Sequence, residues 1–166
     1  FDGVRTPDGR LQLHVPEMAA WLEEIQPELE LRALSELPRY PLVLNAGRHK
    51  PENANTLMRD PAWNGNRRAC TLAMHPDDAA DLGLTDGETV RVVTEAGQQE
   101  LELEVTQDTR TGLVLMPHGF GLKHAGEVYG ANVNRLTRAT HRDRIAATPL
   151  HRYVPCRVEK IPGQKG

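Results

Sequence analysis

From Glu100 to Thr106 the chain alternates: Leu101, Leu103 and Val105 take every second position, with Glu102 and Glu104 between them. A strand turns successive side chains to opposite faces, so this pattern asks for one buried and one wet face. The segment sits inside a punctuated block from His75 to Phe120. There His75 can cap a short helix, Pro76 suits its first turn, and Asp77 and Asp78 place negative charge at the positive end of its dipole. Gly83 ends that helix where a left-handed residue is needed. Turns follow at Thr85-Asp86-Gly87, at Ala96-Gly97 and at Thr111-Gly112. They separate a β-branched strand from Thr89 to Thr94, the alternating strand, and an apolar run from Leu113 to Met116. The block predicts a barrel-like β unit whose loops gather at its ends, where a ligand can be held.

The chain has 166 residues, enough for one domain with a real core or a small domain plus an appendage. The appendage comes first. Thr6-Pro7-Asp8-Gly9 reads as a turn, and Leu11, Leu13 and Val15 alternate after it in an extended segment. From Pro16 to about Ser35 the spacing of Met18, Leu22, Ile25 and Leu29 becomes helical, and Glu17, Glu23, Glu24 and Glu28 mark the other side. Pro27 predicts a kink or two shorter helices. The boundary falls between 37 and 38: residues 1–37 form an extended segment and helix, and 38–166 the main domain, which opens with the short buried strand Leu42-Val43-Leu44. Tyr153 to Lys160 closes it as an edge strand, since Pro155 cannot donate to a ladder.

A formal charge of -3 and a pI near 6.2 leave no electrostatic footprint for nucleic acid or an anionic membrane. Aromatic residues, at 4%, are too few for a base-stacking platform, and no apolar run reaches the length of a membrane span. The chain opens on Phe1 without a basic-then-apolar leader, which points to a fragment or a processed product. Cys70 and Cys156 lack the spacing of a zinc or iron–sulfur site and read as two isolated thiols, with a mutual disulfide as the alternative. The single serine, Ser35, lies in the appendage, which argues against a serine nucleophile. Seven histidines include no HxH or HExxH pair, so a zinc site would have to be assembled from remote loops.

What remains is a set of polar loops. Asn45 to Ala69 carries four arginines and five asparagines, too long and too polar for an idle connector, with Met58 and Trp63 as apolar anchors. PHGFG, from Pro117 to Gly121, and GANVNRLTRATHRDR follow further on. Together the loops offer Gly47-Arg48-His49, Asn55-Thr56, His118-Gly119, Asn132, Asn134, Thr137, Asp143 and His151-Arg152. Guanidinium forks match phosphate oxygens, glycines let backbone N–H groups approach, and a carboxylate such as Asp143 can accept from a guanine-like base. Such a list suits binding of an extended, phosphate-bearing heterocycle better than bond-breaking.

The order of these pieces resembles the C-terminal portion of molybdopterin oxidoreductases of the dimethyl-sulfoxide-reductase family, which includes formate dehydrogenases and periplasmic-type nitrate reductases. RTPDGRLQL, Arg5 to Leu13, is similar to the family's segment just upstream of this domain, and NAGRHKPENANTLMRDPAW to its glycine-arginine loop. HPDDAADLGLTDGETVRV resembles its helix-turn-strand signature, and NRLTRATHRD with TPLHRYVPCRVEK its closing pattern. The resemblance implies a mainly β fold, a six-stranded double-psi β-barrel with short helices and an N-terminal helical appendage, that binds molybdopterin guanine dinucleotide. It implies that Gly47, Arg48 and His49 with Asn55 and Thr56 meet the cofactor, that His118 and Gly119 lie near a pterin, and that Asn134, Thr137 and Asp143 join the grip. His151-Arg152 closes it and departs from the family's Tyr-Lys, though both replacements still donate hydrogen bonds.

On this reading molybdenum or tungsten is held by other domains of the same oxidoreductase, and any iron–sulfur cluster by sequence further upstream. An electron-transfer subunit is a possible further partner, the chain alone is not catalytic, and its compartment is the cytoplasm, with the periplasm left open. Two alternatives stay beside it: a free-standing small subunit docking through the helical appendage, and a β-barrel interaction module without a small ligand. A self-processing decarboxylase on a similar barrel needs a glycine-serine cleavage pair, which this chain lacks.

Overall fold

A computed structural model describes residues 5–24, 26, 28, 39–47, 60–65, 67–139, 142, 147–149 and 151–162. The chain divides into two compact units, Phe1–Glu36 and Leu37–Gly166.

In the first unit the turn forms as its residues require, Gly9 N–H donating to Thr6 O at 3.0 Å and Thr6 Oγ1 donating to Arg10 O at 2.9 Å. Among the described residues Leu11 and Leu13 pair with no strand, and both stand exposed. Helix α1 spans Pro16–Glu23, with Pro16 in the first turn and no buried residue. The kink expected at Pro27 lies outside the described residues.

The second unit is built on six long strands. These are β1 (Leu42–Gly47), β2 (Thr71–Met74), β3 (Thr89–Thr94), β4 (Gln98–Val105), β5 (Leu113–Pro117) and β8 (Val154–Lys160). They close into a barrel in the order β1-β5-β2-β4-β3-β8. A two-stranded hairpin, β6 (Lys123–His124) with β7 (Glu127–Val128), stands apart from it. Pairs β1–β5 and β2–β4 run parallel, and the other barrel pairs antiparallel. Parallel neighbours need crossover connections, which separates this double-psi barrel from a simple meander of hairpins.

The alternation at Leu101 and Leu103 does what it predicts, both side chains being buried. Leu44, Leu72, Met74, Val90, Val92, Val114 and Met116 fill the interior with them. Strand β2 has no alternating signal: Thr71 to Met74 are buried at every position. A short run buried on both faces looks no different from a loop-flanking apolar patch in sequence. One expectation is corrected. Strand β8 is not an edge strand, because β1 pairs on one side and β3 on the other. The proline is tolerated because β3 ends at Thr94, opposite Cys156, so that Pro155 has only Val43 of β1 beside it.

Helix α2, Pro76–Asp81, leaves the C-terminal end of β2 and sits at that end of the barrel. Its cap is as expected: His75 Nδ1 accepts from Asp77 N–H at 3.2 Å, and Gly83 takes φ +63° beyond it. Asp78 Oδ2 accepts from Gly112 N–H at 2.8 Å, tying the helix to the turn before β5. Nearby, Asp86 accepts from Val105 N–H at 2.8 Å and from both terminal nitrogens of Arg68, which also reaches Glu102 and Leu103 O.

The Arg68 side chain, and then the Val105 N–H, hold the Asp86 carboxyl below its ordinary value of 3.8. A depressed carboxylate stabilises the fold above its unfolded pKa, and that contribution is lost as the pH falls through the folded value. Asp86→Ala is therefore expected to cost about 1 kcal/mol at neutral pH, the worth of one net hydrogen bond. In urea titrations across pH, the deficit should shrink once the pH drops below that ordinary value. A second expectation concerns the buried thiol of Cys156, which forms no disulfide. Burial pushes the Cys156 thiol up to about 12, so in the folded protein at pH near 8 it should resist iodoacetamide, read by mass spectrometry, and react only on unfolding.

Candidate functional site

Strand direction decides which loops share an end. Strands β1, β3 and β5 leave the barrel at the same end at which β2, β4 and β8 enter it, as their registers require. Gly47 is the last residue of β1, His118 and Gly119 follow β5, and His151 and Arg152 precede β8. Asn134 lies in, and Thr137 follows, a 3-10 helix, Val133–Leu136, that packs on the β3–β4 turn through Thr94 Oγ1, which donates to Leu136 O at 2.9 Å. All the candidate residues that are described thus fall at one end, opposite α2. Arg48, His49, Asn55, Thr56 and Asp143 lie outside the described residues.

The end of β1 gathers three of them. His118 N–H donates to Gly47 O at 3.3 Å, and His151 O accepts from Ala46 N–H at 2.8 Å. The two imidazoles, both half-buried, meet edge to face with centroids 5.1 Å apart and planes at 78°. Arg152 is exposed beside them. Gly47 has no left-handed φ, and a Cβ built there meets only Asn45 Oδ1, at 3.6 Å, among the described residues. Among the described residues, neither backbone conformation nor packing demands glycine at that point. The imidazoles of His118 and His151 beside it, and the exposed Arg152 next in sequence, are donor groups suited to phosphate and heterocycle.

Asn134 and Thr137 form a second group. Asn132 Oδ1 accepts from Asn134 N–H at 3.0 Å, capping the 3-10 helix, and Thr137 Oγ1 donates to Asn134 O at 3.3 Å. Asn134 is exposed. The two groups are joined by residues that the sequence does not single out. Gly121 N–H donates to Tyr129 O at 2.8 Å, Asn132 N–H donates to Gln99 Oε1 at 3.2 Å, and Cys70 Sγ accepts from Ala131 N–H at 3.2 Å. Cys70 thus has a place in the scaffold of this end, where its sequence context suggests none. Trp63 is not a buried anchor: it stays 56% exposed, with its ring 5.2 Å from that of His124. Among the described residues no group of three or more His, Cys, Asp or Glu is placed to hold a metal ion.

A closed barrel with the described candidate donors at one end is suited to an extended polar ligand. Which one is given by the family: the chain belongs to the "Molydopterin dinucleotide binding domain" family, whose model matches residues 42–155. It is 26% identical over 146 residues to the "F420-dependent formate dehydrogenase subunit alpha" of Methanocaldococcus jannaschii, a match that covers 80% of this chain and 19% of that protein. It is 29% identical over 126 residues to the acetylene hydratase of Syntrophotalea acetylenica, covering 70% of this chain and 17% of the hydratase. The structure of acetylene hydratase from Pelobacter acetylenicus superposes with a TM-score of 0.71 at 22% identity, over 94% of this chain and 24% of that one, and shares its fold. The chain therefore spans about a fifth of the length of the relatives it matches. Its function is that of a molybdopterin dinucleotide-binding domain.

Proposed function

We propose that this chain is the cofactor-holding domain of a molybdenum- or tungsten-dependent oxidoreductase, formate dehydrogenase-like in type, and that the dinucleotide it takes is the guanine form. The observation that carries the site is the meeting of His118 and His151 across the Gly47 end of β1. His118 and Gly119 would face the pterin half, Arg152 the phosphates, and Asn134 and Thr137 the far side of the same end, with Arg48, His49, Asn55, Thr56 and Asp143 assigned on sequence alone. Bound there, the cofactor supplies the redox-active metal and its pterin ligands. The chain's own residues orient it by donating hydrogen bonds and keep water from its covered face.

Substrate choice lies elsewhere in this reading. The two relatives carry names of different reactions, a formate dehydrogenase and a hydratase, yet both match most of this chain. A part common to both is suited to holding a cofactor rather than choosing what reacts. The partners are the other domains of the same oxidoreductase, and the exposed Leu11, Leu13 and Leu22 of the first unit offer apolar surface for them. The unbridged thiol of Cys156 suits a reducing compartment, which favours the cytoplasm.

Anaerobic titration of the chain with molybdopterin guanine dinucleotide tests the assignment. His118→Ala should weaken binding by at least about tenfold, one charge-assisted or well-aligned hydrogen bond. GDP should compete better than CDP; equal competition would overturn the guanine assignment, and an unaltered affinity for His118→Ala would overturn the site.

A further inference from the structure

Two histidines hold opposite flanks of one strand end, and their rings touch. His118 continues β5 and binds Gly47 through its backbone N–H, while His151, two residues ahead of Tyr153, is pinned to Ala46 through its carbonyl on the other side of β1. A second bond, His151 N–H to Pro149 O at 2.9 Å, fixes the backbone of His151 from behind. The imidazoles meet at 5.1 Å and 78°, the edge-to-face geometry that aromatic rings prefer. Arg152, the next residue, is exposed, whereas His151 is half-buried. The neighbours in the pair His151-Arg152 therefore differ in role: the arginine is turned outward, and the histidine spends its ring on another side chain.

We infer that His151 is a positioning residue: its ring, locked on one flank of β1, sets the orientation of the His118 imidazole, and it is His118 that meets the cofactor. The inference rests on the cofactor site proposed above and sharpens it by removing His151 from the direct contacts. An imidazole has two nitrogens, and which one points at a ligand depends on the ring torsion, which is broad and two-fold when nothing restrains it. A ring wedged edge to face against it selects one rotamer. Any planar aromatic side chain can do this, whereas a direct hydrogen bond to the ligand needs a polar one.

That difference makes the test. The whole chain carrying His151→Phe, His151→Asn, His151→Ala, His118→Ala, or His118→Ala with His151→Ala is titrated anaerobically with molybdopterin guanine dinucleotide. The His118 ring protons are followed by NMR in the ligand-free state, and thermal unfolding is measured for each variant. His151→Ala and His151→Asn should both weaken binding about fivefold, the worth of one edge-to-face pair, and should move the His118 ring signals as the neighbouring ring current is lost. His151→Phe should restore both affinity and a ring-current shift. The double variant should bind no worse than His118→Ala alone, since His151 acts only through His118. Restoration by Asn but not by Phe would overturn the inference in favour of a direct polar contact. So would a His151→Ala chain that binds as the parent does while His118→Ala fails, and either result leaves the cofactor site standing. If His118→Ala itself binds as the parent does, the site falls and the inference with it. Should His151→Ala unfold early, the comparison of Phe with Asn still decides.

Discussion

Gly121→Ala is expected to abolish most cofactor binding while the six-stranded barrel stays folded. Gly121 has φ +73°, and a Cβ there would overlap the backbone nitrogen of Asn132 and lie 2.8 Å from the carbonyl carbon of Ala131. The left-handed strain costs about 1–3 kcal/mol, and the overlap, which backbone atoms cannot relieve by a rotamer change, costs about 1–3 more. The alternative open to the chain is to let the two segments part. They are the loop carrying His118 and Gly119 and the loop carrying Asn132 and Asn134, so the expected result is a site divided in two. At about 1.4 kcal/mol per factor of ten, binding should weaken on the order of 100-fold. Far-UV circular dichroism should stay that of the parent. A Gly121→Ala protein that binds normally would show that the contact does not hold the site together.

The largest loss of stability is expected from Leu103→Ala. Leu103 is fully buried in β4 between β2 and β3, within a core cluster to which all six barrel strands contribute. Truncation removes apolar contacts and leaves a cavity in a closed barrel, which cannot collapse as an open sheet edge can. The expected cost is about 2–5 kcal/mol. Leu82→Ala, at a position 40% exposed just past α2, should cost no more than about 0.5 kcal/mol. Urea unfolding with an unchanged slope measures both. A Leu103→Ala loss comparable to that of Leu82→Ala would mean that the barrel interior is not where the stability resides.

The candidate site was only partly legible. His118, Gly119, His151 and Arg152 stand out in sequence as polar groups next to glycine, proline or a strand, and each of those settings survives in the fold. Their partners do not stand out. Gln99 looks like an ordinary strand residue, yet it accepts from Asn132 N–H. Thr94 looks like a β-branched strand end, yet it is buried and holds the 3-10 helix over the β3–β4 turn. Cys70 looks isolated, yet its sulfur accepts from a backbone 61 residues away. Nothing local marks such residues, because what they bind is brought by crossover connections rather than by neighbours in the chain.

Sequence alone determined the local elements whose cause is local: the His75 cap, the Gly83 stop, the alternation of β4 and the turns between strands. Each depends on one or two residues and the backbone they ride on, so each can be read where it stands. Only the tertiary structure decided that β8 is flanked on both sides, that Thr71 to Met74 is an interior strand, and that His118 and His151 meet across the end of β1. Closure of a barrel is a non-local event. It assigns neighbours by strand order and register, and those depend on which arrangement buries all the apolar faces at once.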